Sequence, residues 1–104
     1  MKLALVTLAG AALLAAGAAQ AQSAEDLLKK HACTACHAND KKLVGPAYKE
    51  VANKYRGDAK AAAMLADKVK KGGSGTWGPV PMPPNANVPD ADNKTMVTYI
   101  LGLK

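Results

Sequence analysis

Cys33-Thr34-Ala35-Cys36-His37 is the stretch from which the rest of the chain is read. Two cysteines two residues apart, followed at once by a histidine, form the pattern of a c-type haem attachment site. The spacing has a chemical reason. Both thiols must reach the two vinyl groups on one side of a porphyrin to form thioethers, and the adjacent imidazole must then fall under the iron. A neutral ring nitrogen is a good iron ligand. The chain has two cysteines in 104 residues, so no other thiol pairing competes. Other uses of the pair fit less well. A thioredoxin-like redox couple needs a βαβ setting, and no strand pattern is visible. A zinc site needs a second ligand pair, and His31 stands too close in sequence to complete a tetrahedron comfortably. A disulfide across so short a gap would restrain almost no chain entropy.

Ahead of the motif, Met1-Lys2 is followed by an apolar run from Leu3 to Ala19 and by Ala19-Gln20-Ala21. One positive charge, an Ala/Leu-rich core and a small-residue ending match a cleavable secretory signal over residues 1–21, cut after Ala21. A retained membrane anchor fits less well: the run is short, rich in Ala and Gly, and lacks a stop-transfer flank. The expected mature domain is residues 22–104, in a periplasm-type compartment, with no stable membrane insertion after cleavage. An exported Cys-x-x-Cys would normally oxidise, so haem attachment there implies a dedicated reducing and ligating apparatus.

A domain of this length has a marginal core. There is no Phe, one Trp and three Tyr. An embedded haem would supply the large apolar surface that the side chains do not. Residues 22–104 keep 13 of the 14 basic side chains against all 8 acidic ones, a net charge of +5. The lysines are scattered (Lys29, Lys30, Lys41, Lys42, Lys70 and Lys71 among them), which suits solubility and electrostatic steering toward an acidic protein partner. Nucleic acid is an improbable partner in an exported protein.

Four helices are expected. Ser23 caps the first, with Asp26 three residues on, and Ala24, Leu27, Leu28 and His31 follow helical spacing to about Ala32. His31 reads as a flanking or surface histidine and not as an iron ligand. After a loop over 38–45, Gly45-Pro46 is a turn, with Pro46 as the first residue of a second helix. Tyr48, Val51, Ala52 and Tyr55 mark one face, and Gly57 ends it. Asp58 caps a third helix through about Lys71, with Ala62, Leu65, Ala66 and Val69 as the inner stripe and Gly72 as the stop. Asp90 caps a fourth helix to about Leu103, whose apolar side carries Met96, Val97, Tyr99, Ile100 and Leu103.

Between the last two helices, Gly72 to Pro89 holds too much Gly and Pro for a regular element. Long loops in small domains are usually functional. Met82 stands clamped between prolines and is the candidate sixth ligand of the iron; His/Met ligation is the electron-transfer arrangement and raises the reduction potential. Met64 lies in mid-helix, and Met96 fits an inner face. Trp77, the sole tryptophan, has two readings of equal weight: simple packing, or shielding of the haem with its indole N–H donated to a propionate.

With these residues in place, the chain resembles the small bacterial class I cytochromes c of the cytochrome c-551 type. The likeness rests on Cys33-Thr34-Ala35-Cys36-His37, Val44-Gly45-Pro46-Ala47-Tyr48-Lys49 and Trp77-Gly78-Pro79-Val80-Pro81-Met82-Pro83-Pro84-Asn85, and spans residues 23–104. It implies an all-α class I fold, about four short helices wrapped around one covalent haem c, with the first and last helices crossing. It implies Cys33 and Cys36 as thioether residues and His37 and Met82 as axial iron ligands. It further implies that the Pro46 carbonyl accepts the His37 ring N–H, that Asn85 hydrogen-bonds near the Met82 sulfur, and that Trp77 contacts a propionate. Lys68 stands where relatives often carry an arginine for a propionate, so a single contact replaces a bidentate one. Ala32 stands where relatives commonly have glycine.

The expected function is a soluble, monomeric, periplasmic one-electron carrier between respiratory redox proteins, for example toward nitrite reductase or a terminal oxidase. It is not an enzyme and has no catalytic residues. A haem sensor or peroxidase-like enzyme would want an open or labile sixth position and polar distal groups, and the sequence offers prolines around a methionine instead. A thiol–disulfide oxidoreductase would keep free thiols.

Overall fold

The computed structural model describes residues 22–104, so the expected signal segment lies outside the described residues. Four α-helices follow one another: α1 (Ala24–Lys30), α2 (Tyr48–Tyr55), α3 (Ala61–Lys71) and α4 (Asp90–Leu101), with a 3₁₀ turn at Cys33–Ala35. No strand forms among the described residues; two isolated bridges pair His37 with Lys42 and Gly73 with Met82. No helix among them is long and apolar enough to cross a membrane.

The start of α1 is local chemistry. Ser23 Oγ accepts the Asp26 N–H at 3.1 Å, satisfying one of the free donors at the helix start. Glu25 and Asp26 lie in its first turn and Lys29 and Lys30 in its last, so its charges complement the helix dipole. The helix ends at Lys30, two residues before the expected end. The cause is Ala32, whose φ of 61° and ψ of 21° are left-handed. Its N–H donates to Lys29 O at 3.0 Å, which turns the chain out of the helix and into the cysteine pair.

The other expected helix starts shift by one or two residues. Pro46 lies ahead of the α2 N-cap, Ala47, and is not the first helical residue. The reason is its carbonyl, which faces His37 instead of entering a helical ladder. Asp58 Oδ1 does accept the Lys60 N–H at 2.9 Å, but as a turn before the helix; α3 begins at Ala61. The buried residue of its first turn is therefore Ala61, and Ala62 is exposed, while Leu65, Ala66 and Val69 are half-buried as expected. Asp90 is the first residue of α4, after Pro89 at the N-cap, and makes no cap bond. Its carboxylate instead takes the Lys70 ammonium of α3.

α4 is the hub: it packs against α1, α2 and α3. Leu27 and Leu28 of α1, Tyr48 of α2, Val88 and Met96 form the buried cluster, with Cys33, Tyr99, Ile100 and Leu103 against it. Two polar ties reinforce the hub. His31 Nε2 meets Asp92 Oδ2 at 3.0 Å, joining the end of α1 to the first turn of α4. Asn93, 2% exposed, donates from Nδ2 to Ala66 O at 2.9 Å, joining α4 to α3. The inner face expected for α4 holds: Met96 and Val97 are buried and Tyr99, Ile100 and Leu103 half-buried.

Candidate functional site

His37 sits in a cradle made by the chain that follows it. Its Nδ1 lies 2.8 Å from the Pro46 carbonyl oxygen. A carbonyl only accepts, so Nδ1 carries the proton, and Nε2 of the neutral ring keeps a free lone pair. Gly45 lies against the ring face: a Cβ there would stand 2.4 Å from His37 Cε1. The Tyr48 ring stacks on the imidazole with centroids 5.0 Å apart and planes 20° apart. Main-chain bonds lock the cradle, from Gly45 N–H to Cys36 O at 2.8 Å and from Tyr48 N–H to Ala38 O at 2.8 Å. This accounts for a Gly-Pro pair eight and nine residues after a histidine.

Cys33 and Cys36 are free thiols, both half-buried, at the two ends of the 3₁₀ turn. Burial pushes the Cys33 thiol above its ordinary value; a backbone hydrogen bond opposes the rise, and Cys36 adds to it. A thiol raised in this way is the opposite of the depressed, thiolate-forming cysteine of a disulfide oxidoreductase. Burial likewise raises the Tyr48 phenol far above its ordinary value, with Cys33, Cys36 and Tyr99 adding to the effect. Its hydroxyl is a buried polar group with no partner among the described residues.

Met82 is fixed by the chain that leaves α3. Its N–H donates to Gly73 O at 2.8 Å and its carbonyl accepts the Gly73 N–H at 3.0 Å. Gly72, at φ 69°, lets this approach occur: a Cβ there would stand 2.4 Å from Met82 O. Asn85 N–H donates to Val69 O at 2.9 Å, so the Met82 segment is held at both ends along the last turns of α3. The Asn85 side-chain amide donates to the Pro83 carbonyl at 3.1 Å. Lys68 Nζ lies at this clasp, 3.0 Å from where a Gly73 Cβ would be. Trp77 is 39% exposed at the loop tip. Lys54 Nζ of α2 stands 5.7 Å from the centroids of both the Trp77 and the Tyr55 rings.

The structure thus gathers His37, Gly45, Pro46 and Tyr48 into one cradle, and Lys68, Met82 and Asn85 into one clasp. Two partners escaped the sequence reading. Lys54 beside Trp77 carries no local signal, since the two are joined only by folding. His31, expected as a flanking or surface histidine, is bonded to Asp92, 61 positions away, which turns its ring to α4.

The family model for Cytochrome c matches residues 14–104. The chain belongs to the cytochrome c family. It is 54% identical to cytochrome c-552 of Nitrosomonas europaea over 98 residues, covering 94% of this chain and 93% of that one. To cytochrome c-551 of Pseudomonas aeruginosa it is 48% identical over 101 residues, covering 97% and 96%. The fold is similar to the crystal structure of wild-type Nitrosomonas europaea cytochrome c552, with a TM-score of 0.74 at 54% identity, over 77% of this chain and 99% of that one. A cytochrome c of this type carries one covalently bound haem c with its iron and passes electrons; it is a carrier and not an enzyme. The residues present suit that group: two neighbouring thiols, an imidazole with its Nε2 lone pair free, and glycine where a Cβ would displace the ring.

Proposed function

We propose that this chain is a soluble, monomeric, periplasmic carrier, exported by the signal over residues 1–21. Its haem is joined to Cys33 and Cys36 and its iron held by His37 and Met82. The observation that carries this reading is the His37–Pro46 hydrogen bond at 2.8 Å, which fixes the tautomer and the ring orientation that an iron ligand needs. When bound, the haem supplies a one-electron ferric/ferrous couple. The chain supplies position and environment. Pro46 and Gly45 set the imidazole, the Gly73 bridge sets the height of Met82, and Trp77, Lys54 and Lys68 offer an indole N–H and two ammonium groups to the propionates. Asn85 retains a second amide N–H that can face the Met82 sulfur.

The surface supports exchange with protein partners. Val44 and Val80 are 58% and 61% exposed and stand in the two segments that carry the proposed ligands. Lys29, Lys30, Lys41 and Lys42 are exposed around the His37 segment. Apolar contact beside positive charge suits a brief, steered encounter with an acidic docking surface, such as one on a quinol-oxidising donor, a nitrite reductase or a terminal oxidase.

A Met82→Ala protein tests the ligand assignment. Loss of the near-red charge-transfer absorption of the ferric form and a lower reduction potential are expected, along with carbon monoxide binding to the ferrous form that the parent protein does not show at neutral pH. An unchanged spectrum would exclude Met82. For the partner reading, stopped-flow electron-transfer rates should fall as ionic strength rises; rates indifferent to salt would remove lysine steering.

A further inference from the structure

Asn39, Tyr99 and Glu25 form a hydrogen-bonded chain that the carrier mechanism leaves unused. Asn39 Nδ2–H donates to Tyr99 Oη at 3.0 Å, and the Tyr99 hydroxyl donates to Glu25 Oε1 at 3.1 Å. All the donors point one way, amide to phenol to carboxylate, so each bond strengthens the next and the last is charge-assisted. The three residues come from distant parts of the sequence. Glu25 is in the first turn of α1, Tyr99 is near the end of α4, and Asn39 is two residues past His37.

The place of Asn39 gives the chain its meaning. Asn39 O accepts the Lys49 N–H at 2.9 Å, and Ala38 O accepts the Tyr48 N–H at 2.8 Å. These two bonds stitch the segment after His37 to the start of α2, whose Tyr48 ring stacks on the imidazole. Glu25, Asn39 and His37 also line one cleft of about 300 Å³, together with Tyr48. Tyr99 thus bridges two of the residues that wall the cleft holding His37.

We propose that Glu25–Tyr99–Asn39 is a latch on the His37 side of the site. Tyr99 and Asn39 are positioning residues: they hold the segment 37–39 in register with α2 and keep water from the His37–Pro46 hydrogen bond. The proposal rests on His37 being the iron ligand.

Tyr99→Phe tests it, because it removes the hydroxyl and keeps the ring that packs on the core. Hydrogen exchange is followed by NMR in the ferrous holoprotein. The Tyr48 and Lys49 amides and the His37 ring N–H should exchange roughly five- to thirtyfold faster, the factor for losing one or two ordinary hydrogen bonds. The Met96 and Val97 amides of α4 should gain no more than this factor, because losing the bonds raises the native state against every opening that breaks them. Glu25→Ala, which loses one of the two bonds, should show a smaller factor than Tyr99→Phe, and Glu25→Gln, which keeps a neutral acceptor oxygen, should lie between Glu25→Ala and the parent protein. Tyr48, Lys49 and His37 protons that keep the parent rates while Met96 and Val97 change, or no change at any site, would overturn the latch. His37 ring protons lacking the strong porphyrin ring-current shift would overturn the ligand assignment, and with it the link to the iron, whatever the amides show.

Discussion

Ala32→Gly should make this protein more stable. Ala32 is the one non-glycine residue with positive φ among the described residues, at 61°. A side chain in the left-handed region costs about 1–2 kcal/mol, from the contact of Cβ with the following carbonyl. Glycine removes that cost but adds freedom to the unfolded chain, which offsets about 0.4–1 kcal/mol. The thioethers proposed at Cys33 and Cys36 would persist in the unfolded holoprotein and restrict the neighbouring residue, so the offset belongs at the low end. The net gain is about 0.6–1.6 kcal/mol. With an unfolding entropy of about 2.1 cal/mol/K per residue over the described domain, Tm rises by about 3–9 °C. The assay is thermal unfolding of the oxidised holoprotein by far-UV circular dichroism, together with urea titration at constant m. A series sharpens it: Asn tolerates the left-handed region better than Ala, and Val tolerates it worse, so stability should run Gly, Asn, Ala, Val. A flat series, or a loss on Ala32→Gly, would refute the strain at this position.

Three further outcomes follow from the same geometry. Gly45→Ala places a methyl 2.4 Å from His37 Cε1; overpacking of this kind costs about 1–3 kcal/mol, and the Soret band and reduction potential should shift with the displaced ring, measured on the purified holoprotein. Tyr48→Phe removes a buried hydroxyl with no partner among the described residues, so chemical denaturation should show a gain of about 1 kcal/mol; a loss would mean that the hydroxyl is paired in the holoprotein. A Cys33→Ala/Cys36→Ala chain, expressed without covalent haem, should lack a cooperative melting transition by calorimetry, and a native-like transition would show that the helices carry their own core.

What the sequence made legible was whatever rests on neighbours in the chain. Ser23 caps α1 because its oxygen and the Asp26 amide are three residues apart. Met82 stands out because prolines leave its segment no regular element to join. The four helices follow from apolar spacing, and the hidden shifts have local causes: Asp58 shapes a turn before α3, and the Pro46 carbonyl is taken by His37. The glycine-like position at 32 showed in the resemblance, but its cause appeared only as a dihedral angle. Contacts made by folding were out of reach. Nothing near His31 points to Asp92, nothing near Asn39 points to Tyr99, and Lys54 reaches Trp77 from another helix. Such pairs depend on how the helices and the 72–89 loop lie against one another, which spacing within each helix does not encode.

The paired bonds between Gly73 and Met82 have a use beyond holding a methionine. They clasp both ends of residues 74–81 at one place, so that stretch is a closed cassette whose two ends are already joined. Its contents other than Trp77, with Val80 exposed, can be exchanged or lengthened with little effect on the register of Met82, because loop-closure cost grows slowly with length. For protein engineering this separates two properties that are otherwise hard to vary apart. The tip can be rewritten to choose a redox partner or an electrode surface, while the methionine keeps its place.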